Sequence, residues 1–228
     1  MRQRVSRGTL SRDEILATTL SMIEADPVTP ITMERVATEL GTRPMSLYTH
    51  VRNRDDLING AFERSMRAWR IDVPEGASWE DEVRVWCRSL RDHSRRYSPL
   101  IREMARSEGF QPALLEKVAI LARSLRRSGL EGVSLVEAIR WIPQTVLGAI
   151  VLELSRPTQL QSIEDETTAI FGGLGQLDEG DREEWLAVLP YYSEQRLGDL
   201  FDYSVDRLID GLRTQAALSR AAAKKGGT

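Results

Sequence analysis

The chain contains very little cysteine and histidine: its 228 residues include one Cys (Cys87) and two His (His50 and His93). A single cysteine excludes an internal disulfide, and so few ligands exclude multi-cysteine and multi-histidine metal centres. The longest charge-free apolar stretch, residues 141–152, is too short to cross a bilayer. Residues 1–14 have no apolar core of the kind a secretory signal needs. We therefore expect a cytoplasmic protein without metal, cofactor or membrane partner.

Acidic and basic residues nearly balance, with 31 Lys+Arg against 34 Asp+Glu and a net charge of −3, but they are unevenly distributed. Residues 1–54 hold 8 Arg and 6 acidic residues, whereas the remainder holds 23 basic and 28 acidic residues. Arg2, Arg4, Arg7 and Arg12 all precede the first acidic residue. A basic end on an acidic chain indicates a nucleic-acid partner, although a solvated basic tail gives the same composition.

Apolar residues recur at helical spacing along almost the whole chain, and no segment sustains the alternation of a strand. The spacing predicts an all-α fold of about nine to ten helices. Ser11 is expected to cap the first helix, and Ser134 to cap the eighth. Residues 155–178 contain Gly and Pro and are poorly periodic, which predicts a long connection that leaves room for a short helix. The last helix is expected over residues 193–217.

Two short helices joined by a tight turn form a helix-turn-helix candidate. Thr32 is placed to cap the first, and Gly41 follows it where a positive φ is free of Cβ strain. Pro44 suits the first turn of the second helix, whose Leu47 and Val51 are spaced to point inward together. Helix pairs with a glycine turn also occur in proteins that never bind DNA, so this pattern leaves plain core packing open.

The residues of this segment carry a more specific pattern. Residues 31–62 read ITMERVATELGTRPMSLYTHVRNRDDLINGAF. The run with Leu40-Gly41, residues 46–51, Asn53-Arg54 and Leu57 closely resembles the TetR family of bacterial transcriptional regulators. The motif resemblance covers residues 10–62, and beyond them it depends on helix count and order. It implies an N-terminal three-helix DNA-binding domain at residues 1–55 and a C-terminal helical ligand-binding and dimerisation domain at residues 56–228.

The resemblance also implies how DNA is contacted, because the third helix of family members lies in the major groove. Hydroxyl, imidazole and guanidinium groups suit phosphate oxygens, and helix N-termini attract anions. Tyr48 could instead be a half-buried core aromatic, and His50 could instead pack the turn against the next helix. Glu34 departs from the pattern, since an acid on the exposed face of the second helix repels phosphate. The candidate DNA-contacting residues are Thr32, Thr42, Arg43, Pro44, Met45, Ser46, Tyr48, Thr49, His50 and Arg54.

The resemblance further implies a homodimer that binds a near-palindromic operator of double-stranded DNA, usually as a repressor, and is released by a small-molecule effector. The eighth helix and the last helix are the candidates for the dimer interface. Aromatic side chains suit a drug-sized, mostly apolar ligand, although each of them could equally be ordinary core. Pro143, beside one of them, is expected to kink the eighth helix or to lie in a local distortion of it. The candidate ligand-binding residues are Trp86, His93, Tyr97, Met104, Trp141 and Phe171.

Two rival classes remain to be weighed. An enzyme is disfavoured, because Cys87 and His93 are six residues apart and lie on different faces of a helix. Residues 172–175 are Gly-rich but lack the preceding strand and the Lys of a phosphate-binding loop. We expect no catalytic residues. A helical ligand-binding or scaffold protein without DNA binding is the second rival, and it has no reason to keep the polar residues of 41–54 exposed.

Overall fold

The computed structural model describes residues 10–104, 112–155, 162–192 and 197–226. Within these ranges the chain forms eleven α-helices and no strand, which confirms the all-α expectation. The helices are α1 (Arg12–Ala25), α2 (Met33–Glu39), α3 (Pro44–Leu47), α4 (Arg54–Ala68), α5 (Trp79–Arg96), α6 (Ser98–Met104), α7 (Pro112–Arg127), α8 (Gly132–Leu154), α9 (Ile163–Gly173), α10 (Glu179–Tyr192) and α11 (Leu197–Gly226), with a 3₁₀ turn at Leu174–Gln176.

The described helices belong to two compact units. The first unit comprises the chain up to Glu75 together with Arg88–Leu121, and the second comprises Gly76–Cys87 together with the chain from Ala122 onward. Helix α5 contributes its C-terminal part to the first unit and its N-terminal part to the second. The functional division at residue 55 remains a prediction.

The first unit is organised by α1 packing against α4. Ser11 caps α1 as expected, its Oγ accepting a hydrogen bond from the Glu14 amide at 3.1 Å. The inward stripe of α1 is buried, with Ile15 and Ile23 fully enclosed. Asn53 caps α4 in the same way, because its Oδ1 accepts from the Asp56 amide at 2.8 Å. These caps set where each helix starts and therefore which residues face the core.

The start of α8 differs from the expectation. Helix α8 begins at Gly132 with Glu131 as N-cap, so Ser134 lies inside the helix and the prediction that it is the cap was wrong. Gly129 and Gly132 both adopt positive φ, 95° and 54°. Glycine reaches these conformations without steric cost, and the turn therefore closes before Ser134 is reached.

The segment predicted as a long connection with room for a short helix contains such a helix. Ser162 and Asp165 form a reciprocal capping box, which starts α9, an eleven-residue helix. The cluster Glu164–Glu166 occupies its first turn, where the helix dipole favours negative charge. The described residues therefore contain eleven helices, one or two more than predicted. Helix α11 also extends past residue 217 to Gly226 through an alanine-rich stretch, and the expected start at Ser193 lies outside the described residues.

Helix α8 is long and apolar enough to cross a membrane by length and composition. The charge-free run at 141–152 underestimated the length of this helix, because the helix also includes isolated charged residues near its start. In the fold, its stripe of Ala138, Ile142, Val146 and Ile150 is buried, and the helix packs against α11. Its Pro143 lies inside the helix, as predicted. One face of α8 is therefore buried, while only 22% of its most apolar 18-residue window is buried.

Candidate nucleic-acid interface

The turn between α2 and α3 is built by its own backbone. Gly41 has a φ of 63°, the Gly41 amide donates to the Thr38 carbonyl at 3.0 Å, and the Thr42 amide donates to the Ala37 carbonyl at 2.9 Å. This pair of bonds is the Schellman arrangement that ends a helix at a left-handed glycine. Thr32 caps the start of α2, where its Oγ1 accepts from the Arg35 amide at 3.2 Å. Both predicted roles are confirmed.

Helix α3 is only four residues long, and a turn continues it over residues 48–50. The Val51 amide still donates to the Leu47 carbonyl at 2.9 Å, so the two residues keep helical spacing. Leu47 is 0% exposed and Val51 1%, which confirms the predicted inward pair. The other side chains of the segment are consequently directed away from this core.

Side chains at the tip of this helix-turn-helix are accessible. Met45 is 75% exposed and Tyr48 is 46% exposed. Arg43 and Thr49 are also exposed, while the neighbouring candidates are partly covered, namely Thr42, Pro44, Ser46 and His50. The ring of Tyr48 is therefore available to a partner.

Three candidate residues already make hydrogen bonds within the protein. The Thr49 hydroxyl donates to the Ser46 carbonyl at 2.7 Å, which uses its one proton. Arg54 Nε donates to the Ile31 carbonyl at 3.0 Å and ties the start of α4 to the residue before the α2 cap. Thr32 serves as that cap. These side chains hold the helix-turn-helix together whatever else they contact.

The basic N-terminal residues are represented in the described chain by Arg12. Its guanidinium is bound by the Asp56 carboxylate, with Nη1–Oδ2 and Nη2–Oδ1 distances of 3.0 and 2.9 Å. Arg2, Arg4 and Arg7 lie outside the described residues. The charge asymmetry of the sequence therefore includes one arginine that is already paired.

Two of the candidate ligand-binding residues come together in the first unit. The rings of His93 and Tyr97 lie 4.9 Å apart, and Trp69 stacks on His93 at 5.2 Å. Burial lowers the pKa of His93 to about 4, so the imidazole is neutral at physiological pH. His93 Nε2 lies 3.4 Å from the Ser65 hydroxyl. Sequence reasoning missed Trp69 because it lies at the end of α4, outside the helices that carry the other candidates.

A buried lysine completes this cluster and was also missed. Lys117 of α7 is buried, and its Nζ donates to the Trp69 carbonyl at 2.8 Å. That carbonyl belongs to the residue ending α4, where the helix dipole is negative and a cation is favoured. In the sequence, Lys117 is one polar residue in an amphipathic helix, and no signal marks it as buried.

The remaining ligand candidates occupy different environments. Trp86 is fully buried, whereas Trp141 and Phe171 are exposed. The ring of Trp141 lies over Gly211 of α11, close enough that a Cβ there would approach it at 3.4 Å. The side chain of Met104 lies outside the described residues.

The lone thiol has the character of a core residue. Cys87 is completely buried, and its burial raises the thiol pKa to about 12. Nucleophilic cysteines instead have lowered pKa values and partial exposure.

The known proteins that resemble this chain are transcriptional regulators with a helix-turn-helix. No family model matches the chain. The chain is 27% identical over 231 residues to the HTH-type transcriptional repressor DrrR1 of Streptomyces coeruleorubidus, covering 96% of this chain and 84% of that protein. A segment comprising 40% of the chain is 28% identical to an HTH-type transcriptional regulator of Saccharopolyspora erythraea, over 38% of its length.

Solved structures share the fold over almost the whole chain. Apo ActR of Streptomyces coelicolor has a TM-score of 0.77 at 23% identity and covers 94% of this chain and 100% of its own. The TetR family protein ActR in complex with actinorhodin has a TM-score of 0.74 at 25% identity, covering 90% and 96%. BioQ with its double-stranded DNA operator has a TM-score of 0.62 at 21% identity, covering 90% and 99%, and shows the fold alone.

This all-helical chain with a capped N-terminal helix-turn-helix is thus similar over most of its length to a helix-turn-helix transcriptional repressor. Its fold is that of TetR family proteins such as ActR.

Proposed function

We propose that this protein is a ligand-responsive transcriptional repressor that binds a near-palindromic operator as a homodimer and leaves it when a small, mostly apolar ligand binds. The observation that carries the DNA-binding part is the exposed tip of the helix-turn-helix. Met45 and Tyr48 are accessible, while Leu47 and Val51 anchor the same segment in the core. A segment anchored in this way can present side chains to a groove without being deformed by the contact.

The relatives favour this proposal by their names. DrrR1 is a repressor, BioQ has been solved with its operator, and ActR has been solved with actinorhodin and with (S)-DNPA. Repression, operator binding and release by a ligand are therefore the properties to test first in this chain.

We assign direct DNA contacts to the accessible tip. Arg43 and Tyr48 carry donors suited to phosphate oxygens, and Met45 offers an apolar contact to a thymine methyl group. His50 is partly covered. Thr32 and Arg54 contribute by positioning, since both bond to protein backbone. The full proposed set is Thr32, Thr42, Arg43, Pro44, Met45, Ser46, Tyr48, Thr49, His50 and Arg54.

Dimerisation is supported by apolar side chains that the second unit leaves exposed on α8 and α11. Leu152 on α8, and Leu200, Tyr203 and Leu218 on α11, are all more than half exposed to solvent. Exposed apolar groups on two packed helices are typical of a protein–protein interface. A two-fold dimer places two recognition helices about 34–36 Å apart, which matches successive major grooves on one side of the duplex.

The ligand acts through its preference for one arrangement of the dimer. A ligand that binds better to a spacing unsuited to DNA shifts the population toward that spacing by its difference in affinity. The proposed ligand contacts are Trp86, His93, Tyr97, Met104, Trp141 and Phe171. Because operator DNA is its partner, we place the protein in the cytoplasm.

An electrophoretic mobility-shift assay tests the proposal. The probe is the DNA upstream of the gene that encodes the protein, with a scrambled duplex of equal length as competitor. We expect selective binding at low salt that weakens as salt rises, since phosphate contacts release counterions. A folded, dimeric protein that binds neither this probe nor any duplex selected from a random pool would instead be the helical ligand-binding or scaffold protein of the alternative.

A further inference from the structure

We propose that Arg12 and Asp56 are positioning residues for DNA recognition: together they clamp the backbone that follows α3 and so hold the recognition segment in register with α1 and α4. This inference deepens the proposed function and rests on it. Neither residue is among the proposed DNA contacts.

The clamp grips the segment on both sides of Val51. Arg12 Nη1 donates to the His50 carbonyl at 2.9 Å, and the Arg52 amide donates to Asp56 Oδ2 at 2.9 Å. Arg12 and Asp56 are themselves joined by two charge-assisted hydrogen bonds. The two peptide groups flanking Val51 are thereby connected to the first residue of α1 and to the first turn of α4.

The segment after α3 is a turn and not a continuous helix, so its backbone gains from partners outside the segment. The α-helical part of α3 ends at Leu47, and residues 48–50 form a turn. Tyr48 and His50, two proposed contacts, therefore lie in a final turn that the His50 and Val51 amides close on the Leu47 carbonyl. The Arg12–Asp56 pair supplies external partners for the polar groups beyond that end.

The charges around Asp56 favour its ionised form. The Arg12 hydrogen bonds lower the pKa of this carboxyl to about 2, with the Arg52 amide and guanidinium adding to the effect. The Arg12 pKa is raised by the same pair. Asp56 side-chain exposure is 13%, against 43% for Arg12, so the carboxylate is the better shielded member. The clamp is consequently fully charged at the pH at which DNA is bound.

Electrostatics and positioning predict opposite results for one substitution. Asp56→Asn removes a negative charge from the side of the protein that faces phosphate, and electrostatics alone then strengthens binding to any duplex. If Asp56 positions the segment, specific binding weakens because the Arg12 fork and the Arg52 amide lose their charged acceptor. The sign of the change therefore separates the two roles.

The first unit itself offers a matched control, because another ion pair also joins α1 to α4. In this pair, Asp13 follows Arg12 on α1, and its partner Arg64 lies further along α4 than Asp56. Asp13→Asn removes the same kind of charge from α1, the helix that carries Arg12, without removing an Arg12 or Asp56 contact. A difference between the two variants consequently reports on the segment after α3.

The experiment measures Kd by fluorescence anisotropy for the full-length wild type, Asp56→Asn, Arg12→Gln and Asp13→Asn. One probe is the duplex that the wild type selects from a random pool, and the other is a scrambled duplex. Relative to Asp13→Asn, we expect Asp56→Asn and Arg12→Gln to lose about tenfold in affinity for the selected duplex, with no loss of that size for the scrambled duplex. Circular dichroism at the assay temperature verifies that each variant is folded.

The salt dependence of Kd provides a readout that a direct phosphate contact would change. Loss of one phosphate contact lowers the slope of log K against log salt by about 0.9, whereas loss of positioning leaves the slope unchanged. Asp56→Asn that binds the selected duplex as tightly as Asp13→Asn overturns the inference. Failure of the wild type to select any duplex overturns the proposed function itself, so the two failures are distinguishable.

Discussion

Glu24, at the end of α1, accepts a hydrogen bond from the Tyr97 hydroxyl and pairs with Arg96 at 2.8 Å. Tyr97 follows the last residue of α5, so one carboxylate connects the helix that packs beside the helix-turn-helix to the cluster containing His93. The Arg96 hydrogen bond lowers the Glu24 pKa, and burial together with this carboxylate raises that of Tyr97 to about 12. Glu24 therefore holds the two helix ends together as an anion.

Replacing this anion should loosen the contact between α1 and α5. We expect Glu24→Gln to lower the free energy of unfolding by about 1 kcal/mol, because charge-assisted hydrogen bonds become neutral ones at a partly exposed site. Urea unfolding followed by circular dichroism measures the change. Glu39→Gln is the control, since it alters an exposed carboxylate on α2. Equal effects from the two variants would contradict a specific role for Glu24.

Tyr48→Ala should weaken operator binding without unfolding the protein. The Tyr48 ring is accessible, so its removal leaves no core cavity. Leu47→Ala provides the contrast: the side chain is fully buried, and truncation of a buried leucine costs about 2–5 kcal/mol. Thermal unfolding and mobility-shift assays on both variants separate contact from core. Equal loss of thermal stability and binding in Tyr48→Ala would support the core interpretation instead.

Gly41→Ala should damage the turn between α2 and α3. The glycine has a φ of 63°, and a left-handed conformation costs a residue with a Cβ about 1–2 kcal/mol. Gly172→Ala is the matched control, because Gly172 is helical and a Cβ there meets nothing within 4 Å. The same change should be neutral or slightly stabilising at that position. Melting temperatures of both variants test the pair, and a stabilised Gly41→Ala would refute the turn argument.

Acidification should destabilise the fold through His93. Its pKa falls from 6.5 to about 4 on folding, so the unfolded chain binds a proton at a pH where the native chain does not. Stability is therefore fully present above pH 6.5 and decreases as the pH falls toward 4, by on the order of 2–3 kcal/mol. His93→Gln should flatten the pH profile of unfolding free energy in this window. An unchanged profile would show that other groups cause the acid sensitivity.

Leu200→Glu should convert the proposed dimer to a monomer. Leu200 is exposed on α11 in the second unit, and a charge placed in an apolar interface loses hydration without gaining a partner. Leu115→Glu is the control, since Leu115 is equally apolar and exposed but lies on α7. Sedimentation velocity measures both variants. A dimeric Leu200→Glu protein, or a monomeric Leu115→Glu protein, would remove α11 from the proposed interface.

Local chemistry in the sequence was sufficient to predict the helix-turn-helix. Ser11 and Thr32 cap helices because their hydroxyls reach amides three residues ahead, and Gly41 ends one because it has no Cβ. Leu47 and Val51 face the core because helical spacing places them on one side. All of these effects act within a few residues, and each was confirmed. The same reasoning was wrong at Ser134, where two earlier glycines closed the turn first.

Tertiary structure decided which polar groups meet across the chain. Arg12 meets Asp56 over 44 positions, Glu24 meets Tyr97 over 73, and Lys117 meets the Trp69 carbonyl over 48. Periodicity specifies which face of a helix turns inward, but the partner depends on how helices are offset and rotated against each other. By itself the sequence predicted the all-helical class and the helix-turn-helix, and it carried the resemblance to the TetR family. The clamp behind that segment and the buried cluster around His93 emerged only when the helices of the first unit packed together.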